Sequence, residues 1–187
     1  MIFFVFYSII KKGGVMSNKS WVIKAFLFTF LICLLISGVS NTIANNANII
    51  VLLIITVIII FIGIIFDIIG TAVLTADEAT FHAKASNKIE GSRESIKLIK
   101  NASNIANFCN DIIGDICGIV SGSMGAMIAL YFANKLSINP TITALTISSI
   151  ISSVMVGGKA IGKNIAIKKS DKIIFMVGKI LNKTKRK

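Results

Sequence analysis

The sequence predicts an all-α fold: a polytopic helical membrane protein with about four transmembrane helices, a cytoplasmic helical hairpin between spans two and three, and a basic amphipathic C-terminal helix. Three observations predict it. Apolar residues make up 55% of the 187-residue chain, against ~45–50% in soluble domains even with glycine counted there, and the mean hydropathy is +0.84. These residues come in blocks long enough to cross a bilayer. Of the 20 basic residues, only Lys135 falls outside the segments that share one side of the resulting map.

The elements follow in order. Residues 1–20 form a basic N-terminal segment. Within it, "KKGGVM" reads as a purine-rich ribosome-binding site and start codon translated through, so Met16 is the expected start and residues 1–15 are expected not to be translated. A signal peptide carries its charge before the apolar run; here Lys11 and Lys12 follow it. Span one, Trp21 to Gly38 within residues 21–40, opens on an aromatic residue that suits the interface. Span two starts at Ile49, stays apolar to Phe66 and continues less strictly to Thr75. Ile49 to Glu78 as one helix is ~45 Å long against a ~30 Å core. It therefore tilts, extends beyond the bilayer or breaks, and Gly63 and Gly70 are the expected break points.

From Phe81 to Asn107 the chain is polar and mostly basic. Span three runs from Phe108 to Phe132. "ANKLSINP" is a turn with the only proline. Span four, Thr141 to Gly158, is crowded with hydroxyls; Ser148, Ser149, Ser152 and Ser153 are expected to bond between helices. After Lys159 the chain is basic and ends in a polybasic tail at 182–187. Before that tail, Ser170 is a good N-cap, and Ile173, Ile174, Val177, Ile180 and Leu181 share one helical face. Two readings fit that face equally: a helix on the inner leaflet, or a helix packed on a partner domain.

The distribution of lysine and arginine places both termini and the segment between spans two and three on the cytoplasmic side of a cell membrane. The net charge of +12 then serves orientation and attraction to anionic lipid. The lipid bilayer is the expected partner. No basic stripe interleaved with aromatics occurs, which argues against nucleic acid. Three cysteines, Cys33, Cys109 and Cys117, make an odd set without CxxC, so neither a disulfide framework nor a zinc site is expected. No Ser-His-Asp set, phosphate loop or paired-acid pattern is visible, and the chain is not expected to be an enzyme.

The acidic residues carry the functional signal. The tetrapeptide DIIG occurs twice, in "IIFDIIGTAV" with Asp67 and in "CNDIIGDICG" with Asp111, followed by Asp115. These three, with Asp77 and Glu78, flank or enter spans two and three. Asp67 lies ~27 Å along span two, and Asp111 and Asp115 lie ~5 and ~10 Å into span three, which runs the opposite way. The acids thus converge in the cytoplasmic half. A charge at the middle of a spanning helix costs ~2.5–3.5 kcal/mol, so intramembrane acids point to function. The plainer alternative is that they snorkel or are satisfied by the basic loop. A divalent cation would neutralise them, and magnesium takes oxygen ligands of this kind. Gly114, Gly118, Gly122 and Ala126 form a ridge of small residues for intrachain packing or for a dimer. His82, four residues after Glu78, could hold a metal with it or be an ordinary surface histidine.

The stretch "LTADEATFHAKASNKIEGSRESIKLIKNASNIANFCNDIIGDICGI" resembles the core of the membrane domain of the CorB / cyclin M (CNNM) magnesium transporters. Thr75, Asp77 and Glu78 match the family's Ser, Ser and Glu, Glu90-Gly91 its hairpin turn, and Gly114-Asp115 its Gly-Asn. Downstream, "GGKAIGKNIAIKKSDKIIFMVGKIL" is similar to its Gly-Glu-x-x-Pro-Lys-x-x-Ala segment through Gly158, Lys163 and Ala166. Lys159 and Gly162 stand where the family has Glu and Pro. The likeness covers residues 49–181, without the paired regulatory nucleotide-binding (CBS-pair) modules that follow in the family. The resemblance implies a homodimer that binds largely dehydrated magnesium near the span midpoints, here with a possible separate regulatory subunit. The expected function is binding and transport of a divalent cation, magnesium first, through Thr75, Asp77, Glu78, Asp111 and Asp115, supported by Asp67. The rival is a non-transporting anchor module that pairs with a larger relative.

Overall fold

The structure is a computed structural model that describes residues 48–185 and scattered positions between 23 and 38. The Met16 start and, apart from those scattered helical positions, the span from Trp21 to Gly38 lie outside the described residues. Everything described is helix, turn or short connection; there is no strand among the described residues. In chain order, α1 is Ile49–Thr75, α2 Glu78–Ser86, α3 Ser92–Lys100 and α4 Ala102–Asn107. A π-helical turn, Phe108–Ile113, leads into α5, Gly114–Leu136, followed by α6, Pro140–Lys168, and α7, Ser170–Lys185. Three stretches are long and apolar enough to cross a membrane: Ile49–Thr75, Ala102–Leu136 and Pro140–Lys168.

Each of these three stretches differs from its sequence reading at an end or at a glycine. α1 is unbroken through Gly63 and Gly70. The irregular backbone lies instead in the turn Phe108–Ile113, where the wider spacing of hydrogen bonds inserts an extra residue per turn. The helical run around it starts at Ala102, before the expected Phe108, and continues to Leu136. Pro140 is the first residue of α6 rather than part of a turn, a position where its missing N–H costs nothing. Asn139 caps that helix, its Oδ1 accepting from Thr141 N at 2.9 Å.

The described chain divides into two compact units. Among the described residues, one contains 48–65 and 112–159. Its core is a stripe at a spacing of four on α5, Ile116, Val120, Met124 and Ile128, with Leu52 of α1. Thr56 is buried there without cost to its hydroxyl, which donates to the Leu52 carbonyl at 2.8 Å and lies 3.5 Å from Met124 Sδ. Gly63 marks a close approach, since a Cβ there would stand 2.9 Å from both Cys117 Cβ and Met155 Cε. The α6 window is only 11% buried. Its Ser148 and Ser153 hydroxyls donate to their own helix, at Leu145 O (3.1 Å) and Ser149 O (2.7 Å), and not across helices as expected.

The other unit contains residues 66–111 and 160–185. Here the polar stretch folds as a hairpin of α2 and α3. Lys88 and Gly91 take left-handed conformations at the turn, with φ of 54° and 88°. α7 lies against α3. Its Ile174 and Leu181 are buried, while Ile180 stays 55% exposed. Part of the apolar face, Ile174 and Leu181, is therefore used for packing within this unit. The crossing is close: Ser95 Oγ donates to Gly91 O at 3.0 Å and to Ile174 O at 3.1 Å, and Gly178 lies directly against Ser95.

Candidate metal centre

Each acidic residue singled out by sequence has a definite local setting. Asp77 is the N-cap of α2. Its Oδ1 accepts from Ala79 N at 3.1 Å and its Oδ2 from Thr80 Oγ1 at 2.9 Å, so both oxygens are engaged. The Thr80 hydroxyl and the Ala79 N–H hold its carboxyl below the ordinary aspartate range. The Asp77 N–H in turn donates to Asp171 Oδ1 at 3.0 Å. Glu78 reaches forward one helical turn to His82, 3.1 Å from Oε1 to Nε2. Thr75 returns its hydroxyl to Thr71 O (3.2 Å) and Ala72 O (3.4 Å), and its carbonyl accepts from Ser170 Oγ at 3.3 Å. Thr75, Asp77, Ser170 and Asp171 thus tie the end of α1, the start of α2 and the start of α7 into one polar junction.

Asp111 and Asp115 are exposed, the first in the π-helical turn and the second in the first turn of α5. Asp67 is the opposite case: on α1, inside an apolar helix, it is only 3% exposed. No group of three or more His, Cys, Asp and Glu side chains that could hold a metal ion occurs among the described residues. The structure therefore brings Thr75 and Asp77 to one junction, pairs Glu78 with His82, and puts Asp67, Asp111 and Asp115 in separate settings.

A residue that sequence reasoning did not single out completes the picture. Asn110, in the π-helical turn, presses its side-chain amide on the backbone of Gly70. A Cβ at Gly70 would collide with Asn110 Oδ1 and come within 3.0 Å of Cys109 Cβ. Gly70 stands three residues after Asp67, so both occupy one face of α1. Asn110 Oδ1 is buried and accepts no hydrogen bond among the described residues. A carbonyl oxygen withdrawn from water with no donor is costly unless something else satisfies it. It has the chemistry of a hard-cation ligand. The signal in the sequence was the polar pair Asn110-Asp111 at the head of an apolar run; what concealed Asn110 was the π-helical register. Comparison with protein-family profiles, curated proteins and solved structures finds no match to this chain.

Proposed function

We propose that this chain is a membrane protein that binds and moves a divalent cation, magnesium first, as its resemblance to the CorB / cyclin M membrane domain implies. One observation carries the reading: a buried aspartate, Asp67, on a spanning helix, one turn from the glycine against which Asn110 Oδ1 is buried without a donor. A carboxylate supplies charge, and an amide carbonyl supplies a neutral oxygen, as magnesium and its relatives require. Asp111 and Asp115, exposed, serve as attracting charges for the cation in this reading; Thr75 and Asp77 shape the polar junction at the end of α1, and Glu78 pairs with His82.

The test is magnesium flux into proteoliposomes. Wild-type protein is compared with Asp67→Asn and with Asp111→Asn/Asp115→Asn, each checked for insertion and helix content. Flux in wild type that falls in Asp67→Asn is the expected result. Wild-type flux indistinguishable from empty vesicles sinks the proposal.

One observation favours the anchor-module reading. Asp115, Ile119, Gly122, Ala126 and Leu130 are exposed along one face of α5, and nothing lies within 4 Å of where a Gly122 Cβ would be. Small residues beside exposed acids suit a second helix from a partner or a second copy. Normal pairing of the chain with a partner after Asp111→Asn/Asp115→Asn, with no flux in any variant, would favour it.

A further inference from the structure

Helices α2 and α7 bring two lysines to one phenylalanine. Phe175 of α7 is half-buried. Lys84 Nζ of α2 lies 4.9 Å from its ring centroid, and Lys179 Nζ, one turn along α7, lies 4.7 Å from it. Lys84 also stands 5.0 Å from the centroid of the fully buried Phe81. Sharing one centroid keeps the two ammoniums within about 10 Å of each other.

Among the described residues, the carboxylates of the ion pairs His82–Glu78 and Lys97–Glu94 are matched to other cations than Lys84 and Lys179. Lys172 and Lys183 lie on the same flank of α7 as Lys179, by helical spacing, and are exposed, as is Lys88 just beyond α2. An aromatic face attracts a cation weakly and does not cancel the repulsion between two of them. A phosphate group does, because its several acceptor oxygens take hydrogen bonds from ammoniums that approach along different directions. Lysine is a point-charge donor of this kind, and the ring supplies a dry wall that strengthens the pairing.

We infer that Lys84 and Lys179, on either helix beside Phe175, form a site for a phosphate group, carried by an anionic lipid headgroup or by a soluble phosphate. The site stands on the hairpin unit alone and holds whether or not the chain moves a cation.

The experiment uses the full chain in neutral detergent. One arm measures retention of phosphatidylglycerol against phosphatidylcholine by native mass spectrometry; the other titrates inorganic phosphate calorimetrically. Wild type is set beside Lys84→Gln/Lys179→Gln, beside Lys97→Gln/Lys100→Gln, which removes the same charge from α3, and beside Lys84→Arg/Lys179→Arg. The expected result is a loss of about tenfold or more in affinity in the first double variant only, with the arginine variant retaining binding. An effect confined to phosphatidylglycerol assigns a headgroup; one confined to inorganic phosphate assigns a soluble ligand; an effect in both assigns the phosphate group itself. Equal losses in the Lys84/Lys179 and Lys97/Lys100 glutamine variants, binding that survives Lys84→Gln/Lys179→Gln, or no binding of either probe to wild type overturns the site. The arginine variant separates lost charge from lost folding.

Discussion

Replacing Gly91 with alanine tests how the hairpin unit is held together. Gly91 has φ 88°, where an L side chain costs ~1–2 kcal/mol. Its new Cβ would also meet the Lys179 backbone, 2.8 Å from N and 2.9 Å from Cα, and backbone atoms cannot swing aside as a side-chain tip can. Overpacking of this sort costs ~1–3 kcal/mol. The two penalties have different origins, one local and one between helices, and together amount to about 2–5 kcal/mol. The assay is amide hydrogen exchange at Ser95 to Leu98 in α3, which reports local opening of the α3–α7 crossing. At the lower limit, exchange quickens about 30-fold, since each 1.4 kcal/mol is a factor of ten. Gly122→Ala is the control, because nothing lies within 4 Å of that position; exchange in α3 stays at the wild-type rate. A Gly91→Ala protein that exchanges within about twofold of wild type would refute both the strain and the close crossing.

Other expectations follow from the same geometry. Gly70→Ala displaces the Asn110 amide; because that amide can rotate, helix content holds while magnesium flux falls, read in the proteoliposome assay. Asp67→Asn lowers flux about tenfold or more, as loss of a charged ligand or its support does elsewhere. Gly63→Ala, with its Cβ placed 2.9 Å from Cys117 Cβ and Met155 Cε, destabilises the spanning unit by about 1–3 kcal/mol in a denaturing-detergent titration. Asp77 has a lowered pKa, so the stability it lends α2 is complete above the ordinary aspartate value and is lost as pH falls through the lowered one. Asp77→Asn keeps a good cap and removes that acid limb from amide exchange at Ala79 to Phe81.

The apolar blocks announced three membrane-competent helices because continuous hydrophobicity needs no tertiary context to be read. The α7 face was legible too, in Ile174 and Leu181, but the identity of its partner was not. An amphipathic face tells that something covers it and not what, and here α3 does. The unbroken α1 was hidden for a related reason. Gly63 looks like a weak point in sequence, yet in the fold its missing side chain admits Cys117 and Met155. The π-helical turn leaves no trace in sequence because a change of hydrogen-bond spacing over Phe108–Ile113 does not alter which residues are apolar. Asp77 carries a second signal: an aspartate directly before Glu78 and three residues before Thr80 has the spacing of a helix cap, and it caps α2.

The close crossing of α3 and α7 also bears on how this chain could vary over time. Gly91 and Gly178 are far apart in sequence, yet each is held to hydrogen as its side chain by the other's helix. Neither can drift alone, whereas the lipid-compatible positions of α6 accept almost any aliphatic residue. A distant relative would therefore announce itself less by its hydrophobic stretches than by this widely separated pair of glycines, kept together or exchanged together.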